Sequence, residues 1–158
     1  MSKQLHPDIN QIVVFILDDL KYALPLSTVL RVIHVVEMRP LPNAPEIIAG
    51  IINVKGEIIP VVDLRKRFKL ESREAIAEDN LILTDTGKRH IALWVDSVSG
   101  IKEIANEQYV DTKAYIPYSQ YIKGVAKIED EIILIYDLEQ CLNLKEEIEL
   151  TEALDKKV

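Results

Sequence analysis

Two segments of this chain are copies of one pattern, and that repeat limits what it can fold into. GIINVKGEIIPVVDL (Gly50–Leu64) and GVAKIEDEIILIYDL (Gly124–Leu138) agree at six of fifteen positions. The identities are Gly50/Gly124, Glu57/Glu131, Ile58/Ile132, Ile59/Ile133, Asp63/Asp137 and Leu64/Leu138, all at an offset of 74. Upstream, at an offset of 69, Ala23-Leu24 meets Ala92-Leu93 and Val29 meets Val98. The change of offset places five extra residues in the second half, in the irregular, tyrosine-bearing segment 109–121. Internal repetition decides architecture before local detail does. Units of about 70 residues are too small for a large private core, so the halves are expected to pack on one another.

Each half reads as about five short strands. β-branched residues suit pleated, half-buried surfaces, and 22 Ile and 14 Val stand against 18 Leu and 10 Ala. Strands are expected at Ile12–Leu17, near Tyr22–Leu24 and at Val32–Met38, the last stopped by Pro40 and Pro42. Ile51–Val54 and Ile58–Val62 flank Lys55-Gly56 as a tight hairpin. After the polar stretch 71–79 the pattern restarts with Leu81–Thr84, Ile91–Val95, Val98–Ile104, Val125–Ile128 and Ile132–Tyr136. Arg65–Lys69 reads as a short helical turn, and the tail from Lys145 as an amphipathic helix carried by Leu144, Ile148 and Leu154. The expected fold is mainly β: two similar small barrels, one over about 10–70 and one over about 79–145, with pairing between halves and a helical tail over 145–158. Barrel closure removes exposed sheet edges.

Candidate chemistry is sparse. Asp63 and Asp137, at matched repeat positions, could be a carboxylate pair, but each precedes a short helix and is expected to cap it. Gln140 follows Asp137 at capping-box spacing. His6, His34, His90 and the lone Cys141 lack metal-ligand spacing, so no metal or cofactor is expected. Cys141 reads as a buried, inert thiol. Arg65-Lys66-Arg67 with Lys69 is the single basic cluster and reads as a solvated helix face. The chain carries a net charge of −7, which argues against nucleic acid held by charge. The first 79 residues hold 10 basic and 11 acidic groups and the last 79 hold 9 and 15, so the acidity lies mainly in the second half. The longest apolar run, Ile12–Leu17, is far short of a membrane span, and direct membrane insertion is not expected. Contact with other proteins is the function left standing. An enzyme using Asp63, Asp137 or Asp96, and a small-barrel nucleic-acid binder, stay open as alternatives.

The stretch DDLKYALPL (Asp18–Leu26), then Val29-Leu30-Arg31-Val32, Pro42-Asn43-Ala44-Pro45 and Gly50–Leu64, resembles the CheW family of chemotaxis coupling proteins. The likeness continues through Ala92–Val98 and Gly124–Leu138 and covers about residues 10–145, as a single CheW-like domain. It implies two five-stranded SH3-like barrels about a shared hydrophobic core. It implies a non-enzymatic cytoplasmic adaptor at membrane receptor arrays. Such an adaptor links chemoreceptor cytoplasmic tips to the regulatory domain of the histidine kinase CheA, and couplers also join one another in rings. Carried onto this chain, the receptor groove comprises Val29, Val32, Ile33, Gly50, Asn53, Lys55 and Val98. The kinase-facing edge comprises Val35, Val36, Pro40, Leu41 and Ile47. The family's usual V-x-E-V and L-R-G read Val29-Leu30-Arg31-Val32 and Val54-Lys55-Gly56 here, so two positions that normally carry opposite charge are both basic. That departure points to a divergent receptor set or a non-motility pathway. A free-standing copy of the kinase's regulatory domain is the other reading the resemblance allows.

Overall fold

A computed structural model describes residues 10–110 and 121–157. The strands are β1 (Gln11–Leu17), β2 (Leu20–Pro25), β3 (Val29–His34), β4 (Ile48–Val54), β5 (Glu57–Asp63), β6 (Asn80–Asp85), β7 (His90–Val95), β8 (Ser97–Glu103), β9 (Tyr109–Val110), β10 (Ile122–Ile128) and β11 (Glu131–Tyr136). Helix α1 (Leu64–Arg67) follows β5, and α2 (Leu144–Lys157) closes the chain. The third strand runs earlier than expected, from Val29, and ends at His34. Beyond it, 35–39 forms a strap along β4, joined by paired Arg39 and Ile51 backbone bonds of 2.9 and 2.8 Å. The five extra residues of the second half were expected in 109–121, most of which lies outside the described residues.

The strands form a six-stranded sheet, β8-β1-β2-β11-β10-β9, and a five-stranded sheet, β3-β6-β7-β5-β4. The expected division at 10–70 and 79–145 therefore needs correction. The first hairpin of each half, β1–β2 and β6–β7, joins the sheet whose other strands come from the opposite half. The reason is local. A single residue, Asp96, joins β7 to β8, too short for an antiparallel return, so β8 leaves for the other sheet. Two parallel pairings complete the exchange, β2 with β11 (Ala23 opposite Ile135) and β7 with β5 (Ala92 opposite Val61). These pairings are the same contact under the two repeat offsets.

The cores repeat as well. Ile12, Val14, Ala23, Ala126, Ile133 and Ile135 line the six-stranded sheet's own core, with Ile104. Their repeat partners Leu81, Leu83, Ala92, Ile52, Ile59 and Val61 line the five-stranded one, with Trp94. A third and largest core lies between the sheets. Strand β7 shows the logic: Ala92 and Trp94 point into its own barrel while Ile91, Leu93 and Val95 point into the shared core. Burial on both faces explains why these strands read as unbroken apolar runs. Stacked Phe15, Tyr22 and Phe68 run through the shared core, with centroids 5.7 and 5.1 Å apart, and Tyr136 meets Phe68 edge-on at 5.4 Å. Phe68, just after α1, thus wedges the end of one sheet among the aromatics of the other.

Candidate functional site

The repeat's matched carboxylates do different jobs. Asp63 Oδ1 accepts the Arg65 and Lys66 backbone N–H groups at 3.0 and 3.4 Å, capping α1 as expected. Asp137 makes no such cap to the turn Leu138–Gln140, which corrects the second half of that expectation. Asp63 ends β5 in one sheet and Asp137 follows β11 in the other.

The basic cluster turns inward rather than out. Arg65 is 4% exposed, and its Nη2 donates to Asp96 Oδ1 at 2.5 Å. Arg67 donates to Glu146 Oε1 at 2.6 Å and to the Tyr121 hydroxyl at 3.2 Å. A solvated face is therefore the wrong description, because half-buried carboxylates of distant segments claim both guanidiniums. Only Lys66 and Lys69 of the cluster are exposed. Arg73 grips Asp79 with both Nη atoms at 2.8 Å and reaches Asp96 Oδ1 at 2.8 Å. The Trp94 indole donates to Asp79 Oδ2 at 2.9 Å. Burial alone would raise the Asp79 carboxyl, but the Arg73 guanidinium, the Ile76 N–H and the Trp94 indole hold it below its ordinary value. This network escapes sequence reading, because Arg65 and Asp96 are 31 residues apart with no motif joining them.

Cys141 is buried, and burial pushes its thiol up to about 11, so it stays protonated and unreactive near neutrality. Among the described residues, no group of three or more His, Cys, Asp or Glu is arranged to hold a metal, and no helix is long and apolar enough to cross a membrane.

The positions expected to meet partners fall into three settings. Val29 and Val98, repeat equivalents, are half-buried against the shared core, on β3 and β8. Val32 is exposed on β3, beside half-buried Ile33. Asn53 and Lys55 belong to the β4–β5 hairpin: Asn53 Oδ1 accepts the Gly56 N–H at 2.8 Å, and Lys55 stands at the apex with φ 51°. Gly50 is buried under the strap. Of the kinase-edge positions, Val36 and Pro40 are exposed and Val35 is half-buried. Leu41 and Ile47 belong to the shared core, so they support that edge from beneath rather than present it.

A concavity of about 360 Å³ lies between the strap and the β4–β5 hairpin, lined by Val36, Glu37, Arg39, Ile51, Ile52, Asn53 and Ile58. It brings Val36 of one expected set against Asn53 of the other. Arg31 lies on β3 and Lys55 at the β4–β5 turn, on the two outer strands of the five-stranded sheet. Among the described residues neither has an ion-pair partner. The concavity is thus an open, partly apolar surface between strap and hairpin.

A family model, the CheW-like domain, matches residues 11–146. The chain is 26% identical over 144 residues to the chemotaxis protein CheW of Treponema pallidum, covering 86% of this chain and 84% of that one. It is equally identical, over 144 residues, to the CheW of Thermotoga maritima, covering 91% and 93%. The crystal structure of the scaffolding protein TtCheW from Thermoanaerobacter tengcongensis superimposes with a TM-score of 0.80 at 30% identity, covering 87% of this chain and 94% of that one.

Proposed function

The chain belongs to the CheW-like domain family, and from that premise we propose that it is a non-enzymatic coupler. It links the cytoplasmic tips of chemoreceptors to the regulatory domain of a CheA histidine kinase, in the cytoplasm at membrane receptor arrays. The observation that carries this reading is the likeness, over 87% of the chain, to a protein described as a scaffold.

An adaptor acts by complementary surfaces. A receptor tip is a helical hairpin, and a helix laid in a groove is held by apolar anchors at helical spacing. Val29, Val32, Ile33 and Val98 are the apolar lining in this reading, with Gly50, Asn53 and Lys55 at its margin. Lys55 at the hairpin apex suits the negative C-terminal end of a helix. Val35, Val36 and Pro40 face the kinase or a neighbouring coupler, with Leu41 and Ile47 behind them. The unpaired Arg31 and Lys55 favour a receptor that brings its own carboxylates, and so a divergent receptor set.

Pull-down with receptor cytoplasmic fragments and with the kinase regulatory domain tests the assignment. Val32→Asp, an exposed change, is expected to keep the fold and weaken receptor capture by about tenfold or more. Native capture by a folded variant would remove Val32 from the groove. Arg31→Glu with Lys55→Arg is expected to reduce capture by the protein's own receptors, and unchanged or stronger capture would refute partner choice at these positions.

A further inference from the structure

Among the described residues the chain passes between its two sheets at only two places. One is the turn Leu26–Thr28 between β2 and β3; the other is Asp96 between β7 and β8. Every other connection between consecutive strands begins and ends in the same sheet. The two crossovers are repeat equivalents, since Asp96 matches Ser27 at an offset of 69. They are held very differently.

At the first crossover the fastening is local, with the Thr28 hydroxyl donating to the Pro25 carbonyl at 2.7 Å. At the second, Asp96 makes four hydrogen bonds that gather three segments. Its backbone N–H donates to Ile16 O at 3.0 Å. Its Oδ2 accepts the Asp18 N–H at 2.9 Å, at the β1–β2 turn of the six-stranded sheet. Its Oδ1 accepts from Arg65 at 2.5 Å, on the helix that leaves the five-stranded sheet, and from Arg73 at 2.8 Å. Arg73 is itself fixed by its two bonds to Asp79 at the foot of β6. One carboxylate therefore joins a turn of one sheet to a helix and a connecting segment of the other.

Partly buried ion networks of this kind add little net stability, because desolvation offsets attraction. What they do supply is a single geometry, since each charge is satisfied in only one arrangement. We propose that Asp96 is a positioning residue for partner docking: its carboxylate fixes the angle between the two sheets and so holds Val98, two residues on, in register with the groove. This rests on the coupler reading for the groove's role but not for the clamp.

Lys88→Cys on the β6–β7 turn and Lys127→Cys on β10 place one exposed spin label on each sheet. Buried Cys141, with its thiol pushed up to about 11, does not compete for label near neutrality. Pulsed dipolar spectroscopy then reads the distance between the sheets with no partner present. Asp96→Ala in the full chain is expected to melt cooperatively, to broaden the distance distribution, and to weaken capture of receptor fragments by about tenfold. The control Ile133→Val trims the six-stranded sheet's own core and is expected to lower the melting temperature while leaving distribution and capture native. Should Asp96→Ala not fold, Asp96→Asn removes the charge the two arginines need and keeps an acceptor for Asp18. A native distribution in a folded Asp96 variant overturns the clamp, and a broadened one with native capture overturns its docking role. If the native protein captures no receptor fragment, the coupler reading fails, while the distances alone still decide the clamp.

Discussion

Gly50 and Gly124 are identical residues at matched positions, yet their neighbours make them unequal. A Cβ on Gly50 would stand 2.6 Å from the Arg39 carbonyl oxygen. That carbonyl cannot retreat, because Arg39 and Ile51 exchange two backbone bonds. A Cβ on Gly124 would meet the Tyr109 ring at 2.5 Å. A ring can swing aside, at the cost of the 3.0 Å bond from the Tyr109 hydroxyl to Lys123 O. Gly50→Ala should therefore cost about 1–3 kcal/mol and Gly124→Ala less. Urea unfolding of the two variants checks this, and equal losses would contradict it. The Gly50 variant should also loosen the strap that carries Val36. The repeat flagged both glycines in the sequence. It could not flag their neighbours, because most of the strap reads in sequence as the end of a strand reaching Met38 and not as a segment lying along β4.

At the scale of an element, α2 shows how an apolar count misleads. Leu144, Ile148 and Leu154 looked like its docking stripe, yet Leu144 is 74% exposed and Ile148 52%. The face that docks is Glu146, Glu147, Leu150, Ala153 and Leu154. Two acids occupy docking positions because two arginines wait there: Arg67 meets Glu146 at 2.6 Å and Arg89 meets Glu147 at 2.8 Å. Glu146 also completes a capping box, its Oε1 accepting the Asn143 N–H at 2.9 Å while Asn143 Oδ1 accepts the Glu146 N–H at 2.8 Å. The capping box expected from the sequence was Asp137 with Gln140 and not this N-x-x-E, and the arginines, 79 and 58 residues away, leave no local signal. Charged hydrogen bonds with little solvent screening couple by about 1.5–3 kcal/mol. A double-mutant cycle of Arg67→Met and Glu146→Gln, read by urea unfolding, should return a coupling in that range. Additive losses would show that α2 is held by Leu150 and Ala153 alone.

For the whole molecule, the repeat made duplication legible, and with it the β character and nearly every strand. It could not show which copy pairs with which. Ala23 could face Val61 of its own half or Ile135 of the other, and the repeat makes those partners equivalent. The choice falls to the crossovers, above all the single residue between β7 and β8. The residue pattern likewise favoured partner surfaces over catalysis as the place to look. The concavity depends on a three-dimensional meeting of strap and hairpin that no local spacing encodes.

The exchange of strands also sets an order in time. A chain emerging from the ribosome delivers β3 to β7, the whole five-stranded sheet, by residue 95. β1 and β2 precede β3, and β1 finds β8 by residue 103, yet the other edge of β2 must wait for β11, and its ladder to Leu134 spans 112 positions. Pairings this distant form slowly, and an unpaired strand edge is an aggregation hazard while it waits. Nascent chains stalled at increasing length should therefore gain protease protection over β3–β7 before β1–β2, whose protection should be complete only once residue 136 has cleared the tunnel. Full protection of β1–β2 in chains stopped near residue 105 would refute this order. On this order, strands synthesised before the five-stranded sheet become native after it.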